Sequence, residues 1–188
     1  MSENGIFNAE LCFHPETSCP AVETLRAAIG WESERNLKVV YTLRGSIHDL
    51  RIPPLEAPRR ADRLWQHTCF ELFLGAQNDV EYYEFNFSPA GEWAAYGFRD
   101  YREGMALEGA EPIPEINVER GADSLILSAT LSAGGLPGIT PNIRLSLGVC
   151  AVLEDRAGAL SYWALRHPAG KPDFHHAEGF ALELAVPG

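Results

Sequence analysis

The chain has 188 residues, 46% hydrophobic and 22% charged, and 15 basic against 26 acidic side chains leave a net charge of −11. That is the composition of an ordinary globular protein, long enough for a sizeable core and expected as a single domain over residues 1–188. The acidic balance argues against nucleic-acid phosphates or an anionic membrane as partners, and no apolar run reaches the roughly 18 residues of a spanning helix.

The first residues, MSENGIFNAE, lack the basic and apolar regions of a secretory leader. Cys12, Cys19, Cys69 and Cys150 form no C-x-x-C pair. They are expected as buried reduced thiols of a cytoplasmic protein rather than as zinc ligands.

In chain order, Ala9–His14 reads as a short strand. Ser18-Cys19-Pro20 then predicts a helix start, with serine as N-cap and proline in the first turn. Val22, Leu25, Ala28 and Ile29 share one helical face, and Gly30 ends it. Leu37–Arg44 alternates as a strand, and Ile47–Ile52 is a further strand candidate stopped by Pro53-Pro54. A polar, arginine-bearing loop, Glu56–Arg63, leads into Trp65. Leu64–Arg99 predicts three consecutive strands joined by short turns, and Glu103–Pro112 is irregular. Glu115–Arg120 and Ser124–Ser132 form one expected hairpin, Ile143–Leu153 and Leu160–Arg166 another, and Phe180–Ala185 the last strand. The sum is an all-β, jelly-roll-type antiparallel β-sandwich with one short N-terminal helix.

The central strands carry the first sign of a site. Phe70, Leu72 and Leu74 alternate with Cys69, Glu71 and Phe73, and Tyr83, Phe85 and Phe87 alternate with Tyr82, Glu84 and Asn86. A turn within Gly75–Val80 sets Glu71 roughly opposite Glu84, because a one-residue slip would mix core and solvent faces. Facing carboxylates, with Cβ atoms roughly 5 Å apart, need a cation, a ligand or a proton between them. Asn86 belongs to the same face. A type I turn at Ser88-Pro89-Ala90-Gly91 with Gly91 in a bulge would add Tyr96, whereas a two-residue turn would add Trp93 and Arg99; the bulge is preferred.

Trp65 stands at the mouth of the first central strand, and Trp163 lies between Tyr162 and Arg166 in a later one. Aromatic planes beside carboxylate, amide and guanidinium groups suit a sugar, whose C–H faces stack while its hydroxyls take directional hydrogen bonds. Arg166 could also neutralise the carboxylate pair. Adjacent glutamates on one face lie parallel rather than on opposite sides of a bond, which disfavours glycosidase chemistry. His67 shares a strand face with Glu71, while His167, His175 and His176 cluster near the C-terminus without a zinc spacing, so no metal site is expected. No phosphate loop, dinucleotide fingerprint or nucleophile elbow occurs.

The segments WQHTCFELFLG, YYEFNFSPAGEWAAYGF and YWALRHPAGKPDFHH resemble bacterial DOMON-like domain proteins, related to family 9 carbohydrate-binding modules. The resemblance runs roughly from Leu37 to Leu184. It implies a β-sandwich in which a tryptophan six residues before a strand glutamate walls an aromatic clamp, the spacing of Trp65 and Glu71. It further implies a polar contact at the position of Asn86 and a second clamp aromatic, for which Trp163 is the nearest candidate. Haem-binding relatives use a methionine and a histidine, and this chain offers only Met1 and Met105, so haem or a divalent cation is the lesser alternative. The expectation is a non-catalytic domain without a cofactor. Trp65, Glu71, Glu84, Asn86, Tyr96, Trp163 and Arg166 would hold a small ligand, a saccharide foremost.

Overall fold

The computed structural model describes residues 6–105 and 112–188; Met1 and much of the irregular Glu103–Pro112 segment lie outside them. Among the described residues the strands are β1 (Phe7–Phe13), β2 (Val22–Trp31), β3 (Leu37–Gly45), β4 (Arg59–Arg60), β5 (Cys69–Ala76) and β6 (Tyr82–Phe87). They continue as β7 (Glu92–Asp100), β8 (Glu103–Met105), β9 (Glu115–Arg120), β10 (Ser124–Leu131), β11 (Arg144–Glu154), β12 (Leu160–Ala164) and β13 (Leu182–Ala185).

Two sheets face each other. One runs β1-β2-β3-β10-β9 and the other β4-β7-β6-β5-β11-β12-β1, with β13 added to β11 and β8 to β7. All pairings are antiparallel except the two-residue contact of β4 with β7. β1 belongs to both sheets: Phe7–Leu11 pairs with β2, and Cys12 and Phe13 pair with Ala164 and Trp163 of β12. The expected antiparallel β-sandwich is therefore present.

The expected N-terminal helix is not. Val22–Trp31 is a ten-residue strand between β1 and β3, with Leu25, Ala27 and Ile29 buried and Glu23 and Arg26 exposed. The apolar residues of this stretch satisfy both a helical and an alternating spacing. Pairing with β1 on one edge and β3 on the other decides for the strand. Helical geometry among the described residues is confined to short 3-10 turns at Ile47–Asp49, Leu64–Gln66, Ala133–Gly135 and Ala177–Gly179. The strand expected over Ile47–Ile52 is the first of these turns followed by a lone bridge from Leu50 to Asp155.

The core lies between the sheets. Leu25, Val39, Tyr41, Leu43, Leu125 and Leu127 from one side meet Phe70, Leu72, Phe85, Phe87, Leu147, Val149 and Trp163 from the other. Two smaller apolar clusters lie on the outer face of the second sheet. Phe73, Tyr82, Cys150, Val152, Ala164 and Phe174 form one, and Leu64, Cys69 and Ala94 the other. That outer face is thus partly roofed rather than solvated, and the roof defines a cleft. Of the four thiols only Cys12 is exposed, contrary to expectation, and none is paired.

A roofed carboxyl cleft on the outer sheet face

Alternation along β5, β6 and β7 brings Glu71, Glu84 and Tyr96 to one face. Glu71 is directly opposite Asn86, however, and Glu84 lies between Phe73 and Tyr96. The expected direct pairing of Glu71 with Glu84 is therefore two residues out of register. The physical reason is the β5–β6 turn, which is centred one residue later than expected. Asn78 adopts a left-handed φ of 69°, and the Asp79 N–H donates to the Ala76 carbonyl at 3.0 Å. Parity is unchanged, so both carboxyls still share the face and act on each other diagonally.

At the β6–β7 turn, the Gly91 N–H donates to Ser88 O and the Ser88 N–H to Glu92 O, each at 2.9 Å. Gly91 takes φ +94°, a conformation glycine supplies at little cost. This is the bulged alternative, and it places Tyr96 beside Glu84. Trp93 is instead buried in the core, and Arg99 pairs with Glu103 at the surface.

The cleft encloses about 360 Å³ and is lined by Trp65, Glu71, Glu84, Tyr96, Phe98, Arg102, Val152, Tyr162, Pro172, Phe174 and His175. One wall is the turn Leu64–Gln66, on which Trp65 is 41% exposed and meets Tyr96 edge-on at 5.9 Å. Leu64 anchors this turn in its small cluster. His67, at the base of the turn, bonds the buried Glu154 at 2.8 Å, and Arg51 bonds the other Glu154 oxygen at 2.7 Å. Burial alone would raise the Glu154 carboxyl, but the Arg51 and His67 hydrogen bonds hold it below its usual range. His67 therefore braces the Trp65 turn rather than joining Glu71.

The opposite wall is the segment Pro172–His175. Asp173 accepts from Arg102 at 2.7 Å and from the Tyr101 hydroxyl, which ties the segment to the β7–β8 turn. The Arg102 N–H donates to the Tyr82 hydroxyl at 3.1 Å, and that hydroxyl is 2.9 Å from His175 Nδ1. With the hydroxyl donating to Nδ1, Nε2 carries the imidazole proton and faces Glu84 Oε2 at 3.6 Å. Burial first, and then the Arg102 charge, push His175 down to about 4, so its ring is neutral near neutral pH.

On the floor, Glu71 is 2% exposed, and its Oε1 has no hydrogen-bond partner. Burial, and secondly Glu84, push its carboxyl well up from the ordinary range. Glu84 is also pushed up by burial, held back by the Asn86 hydrogen bond and by Arg102. Asn86 itself is fully buried: its Nδ2 donates to Glu84 Oε1 at 2.6 Å, and its Oδ1 faces the Cys69 thiol at 3.4 Å. It orients Glu84 from beneath and does not line the cleft.

Two expected residues are elsewhere. Trp163 pairs across from Ala151 and points into the core, 4% exposed, with its indole N–H donating to Ser161 Oγ at 3.0 Å. Neighbouring Tyr162 takes the outer position and lines the cleft. Arg166 lies past the end of β12, exposed and away from the lining. Arg102 is the guanidinium near Glu84, and its signal in sequence was only an arginine in the turn after β7. Phe98, Phe174 and His175 were likewise not assigned to the site by sequence reasoning. Among the described residues no group of three or more His, Cys, Asp or Glu side chains is placed to hold a metal ion.

No protein-family description and no curated protein sequence matches the chain. Solved structures do. A candidate carbohydrate-binding protein from Bacteroides uniformis aligns over 93% of this chain and 84% of its own, with a TM-score of 0.61 at 15% identity. A family 9 carbohydrate-binding module from Caldicellulosiruptor kristjanssonii, in complex with glucose, aligns over 95% of this chain and 85% of its own, with a TM-score of 0.56 at 10% identity. The cellotriose complex of a family 9 module from the same organism gives 97%, 83% and 0.58, again at 10% identity. The chain has the β-sandwich fold of these proteins. At such identities the likeness establishes architecture, and the chemistry of the cleft has to be argued from its own residues.

Proposed function

We propose that this chain is a non-catalytic saccharide-binding domain of the DOMON-like type, related to the family 9 modules, and that the cleft on its outer sheet face is the binding site. The observation that carries the reading is the union, in one cleft, of an aromatic wall at exposed Trp65 and half-buried Tyr96 with a buried carboxyl floor at Glu71 and Glu84. A pyranose needs both, an apolar plane for its C–H face and fixed acceptors and donors for its hydroxyls. Two structures sharing the fold hold glucose and cellotriose, which supports the same ligand class here.

Trp65 and Tyr162 offer stacking surfaces, Glu71 and Glu84 take the hydroxyls, and Arg102 adds a donor at the rim. Asn86 fixes Glu84 and contributes indirectly. Both carboxyls sit on one side of any ring bound against the sheet, an arrangement for holding a sugar rather than for cleaving a bond from opposite faces. No cofactor is required for this role. The test is a thermal-shift and calorimetric titration with glucose and cellotriose in large excess. A saturable rise in Tm that disappears in Trp65→Ala is expected, and no shift with either sugar would sink the reading.

A further inference from the structure

Glu71 offers more than a neutral sugar requires, because a carboxyl can also pair with a positive charge. Glu71 lines the cleft, and its buried Oε1 has no partner, although leaving a buried polar atom unpaired costs stability. Diagonally across from it on the same face is a second carboxyl, Glu84.

The bases near the cleft are engaged away from Glu71. Arg102 is bound to Asp173, and His175 faces Glu84. The other groups that face Glu71 are Cys69 on its own strand, Cys150 on β11 and Tyr41 from the opposite sheet. Burial holds the protons on all three. At its deep end the cleft therefore presents Glu71, which no base faces, and Glu84, which His175 faces, beneath walls of Trp65, Tyr96, Phe98, Tyr162 and Phe174. Aromatic faces attract a cation through the negative potential over their rings, and indole does so most strongly. An anionic protein surface adds attraction in the same direction.

Resting on the saccharide reading above, we infer that the ligand is an amino sugar whose ammonium group docks on Glu71. The ammonium donates to Oε1, and the aromatic walls cover the rest of the ring. Where Glu71 carries a proton before binding, that proton leaves to solvent as the carboxylate forms opposite the ammonium. The Glu71 carboxylate and the ammonium then form a one-to-one pair. The N-acetylated form of the same sugar lacks the charge and gains no such contact.

Calorimetric titration at neutral pH with D-glucosamine, 6-amino-6-deoxy-D-glucose, D-glucose and N-acetyl-D-glucosamine tests the inference. At least one amine is expected to bind about tenfold or more tightly than glucose and N-acetylglucosamine. It should also release more protons when heats are compared in buffers of different ionisation enthalpy. Glu71→Gln keeps the side chain's size and removes its charge, so it is expected to abolish the amine preference and the excess release. Glucose binding as tightly as both amines overturns the inference and leaves the saccharide reading intact. An amine preference that persists in Glu71→Gln overturns the docking at Glu71, and no binding by any of the four overturns both readings.

Discussion

The Tyr41 hydroxyl donates a 2.7 Å hydrogen bond to the main-chain carbonyl of Glu71, so the floor of the cleft is held from the opposite sheet. Tyr41 is fully buried and packs against Phe70 with ring centres 5.0 Å apart. Tyr41→Phe keeps that packing and removes a buried hydrogen bond, which should cost about 0.5–1.5 kcal/mol. Urea unfolding measures the loss. A variant as stable as the parent would show that the carbonyl finds another donor.

The two tryptophans weighed for the site should behave oppositely. Trp163 is buried in the core, so Trp163→Ala should lower stability by about 3–5 kcal/mol. Trp65 is largely free of the core, so Trp65→Ala should cost little stability and most of the saccharide affinity. Paired melting and calorimetry on the two variants would expose a mistaken assignment at once.

A similar contrast holds for the guanidinium groups. Arg102 joins the β7–β8 turn to Asp173 on the cleft wall, whereas Arg166 is exposed and outside the lining. Arg102→Gln should weaken sugar binding and let Glu84 keep its proton to higher pH. Its stability cost should stay within about 1 kcal/mol, because the pair is partly solvated. Arg166→Ala should leave affinity unchanged. Carboxyl NMR titration and calorimetry follow both effects, and equal losses from the two variants would contradict the placement.

Glu71 gives the pH dependence a definite sign. Its carboxyl is raised in the folded chain above the usual 4.5, so the folded state binds more protons than the unfolded state above that pH. Stability from this group is fully present below 4.5 and is lost as pH rises through the raised folded value. Glu84 acts in the same sense. His175 opposes them on the acid side. It is depressed from 6.5 to about 4, so stability falls as pH drops through that interval and the unfolded imidazole takes up a proton. Subtracting the Glu71→Gln profile isolates the first effect. Urea midpoints across pH should show the parent losing ground to the variant as pH rises from 4.5, and a level difference would contradict the assignment.

Most strands were legible because one face of each is buried, which stamps a period of two on the sequence. Trp65, Glu71, Glu84 and Tyr96 were legible as a group because local hairpins place them, and turn chemistry constrains local hairpins. Even so, one left-handed residue, Asn78, moved the register by two. β2 was misread because its apolar spacing fits a helix as well as a strand, and only its partners β1 and β3 distinguish them. Trp163 and Tyr162 are adjacent aromatics in a short strand, and which of them faces the core depends on pairing with β11. Phe174, His175 and Arg102 reach the cleft from loops, where no periodicity announces a direction.

The strand shared by both sheets also sets an order of assembly. β1 can zip against β2 from a neighbouring stretch of chain, but its last residues await β12, with Cys12 and Ala164 lying 152 positions apart. A ribosome delivers the first partner early and the second near the end. Until then the Cys12–His14 edge is an open template, so closure of the seam is a slow, long-range step and the interval in which neighbouring chains can most readily pair in error.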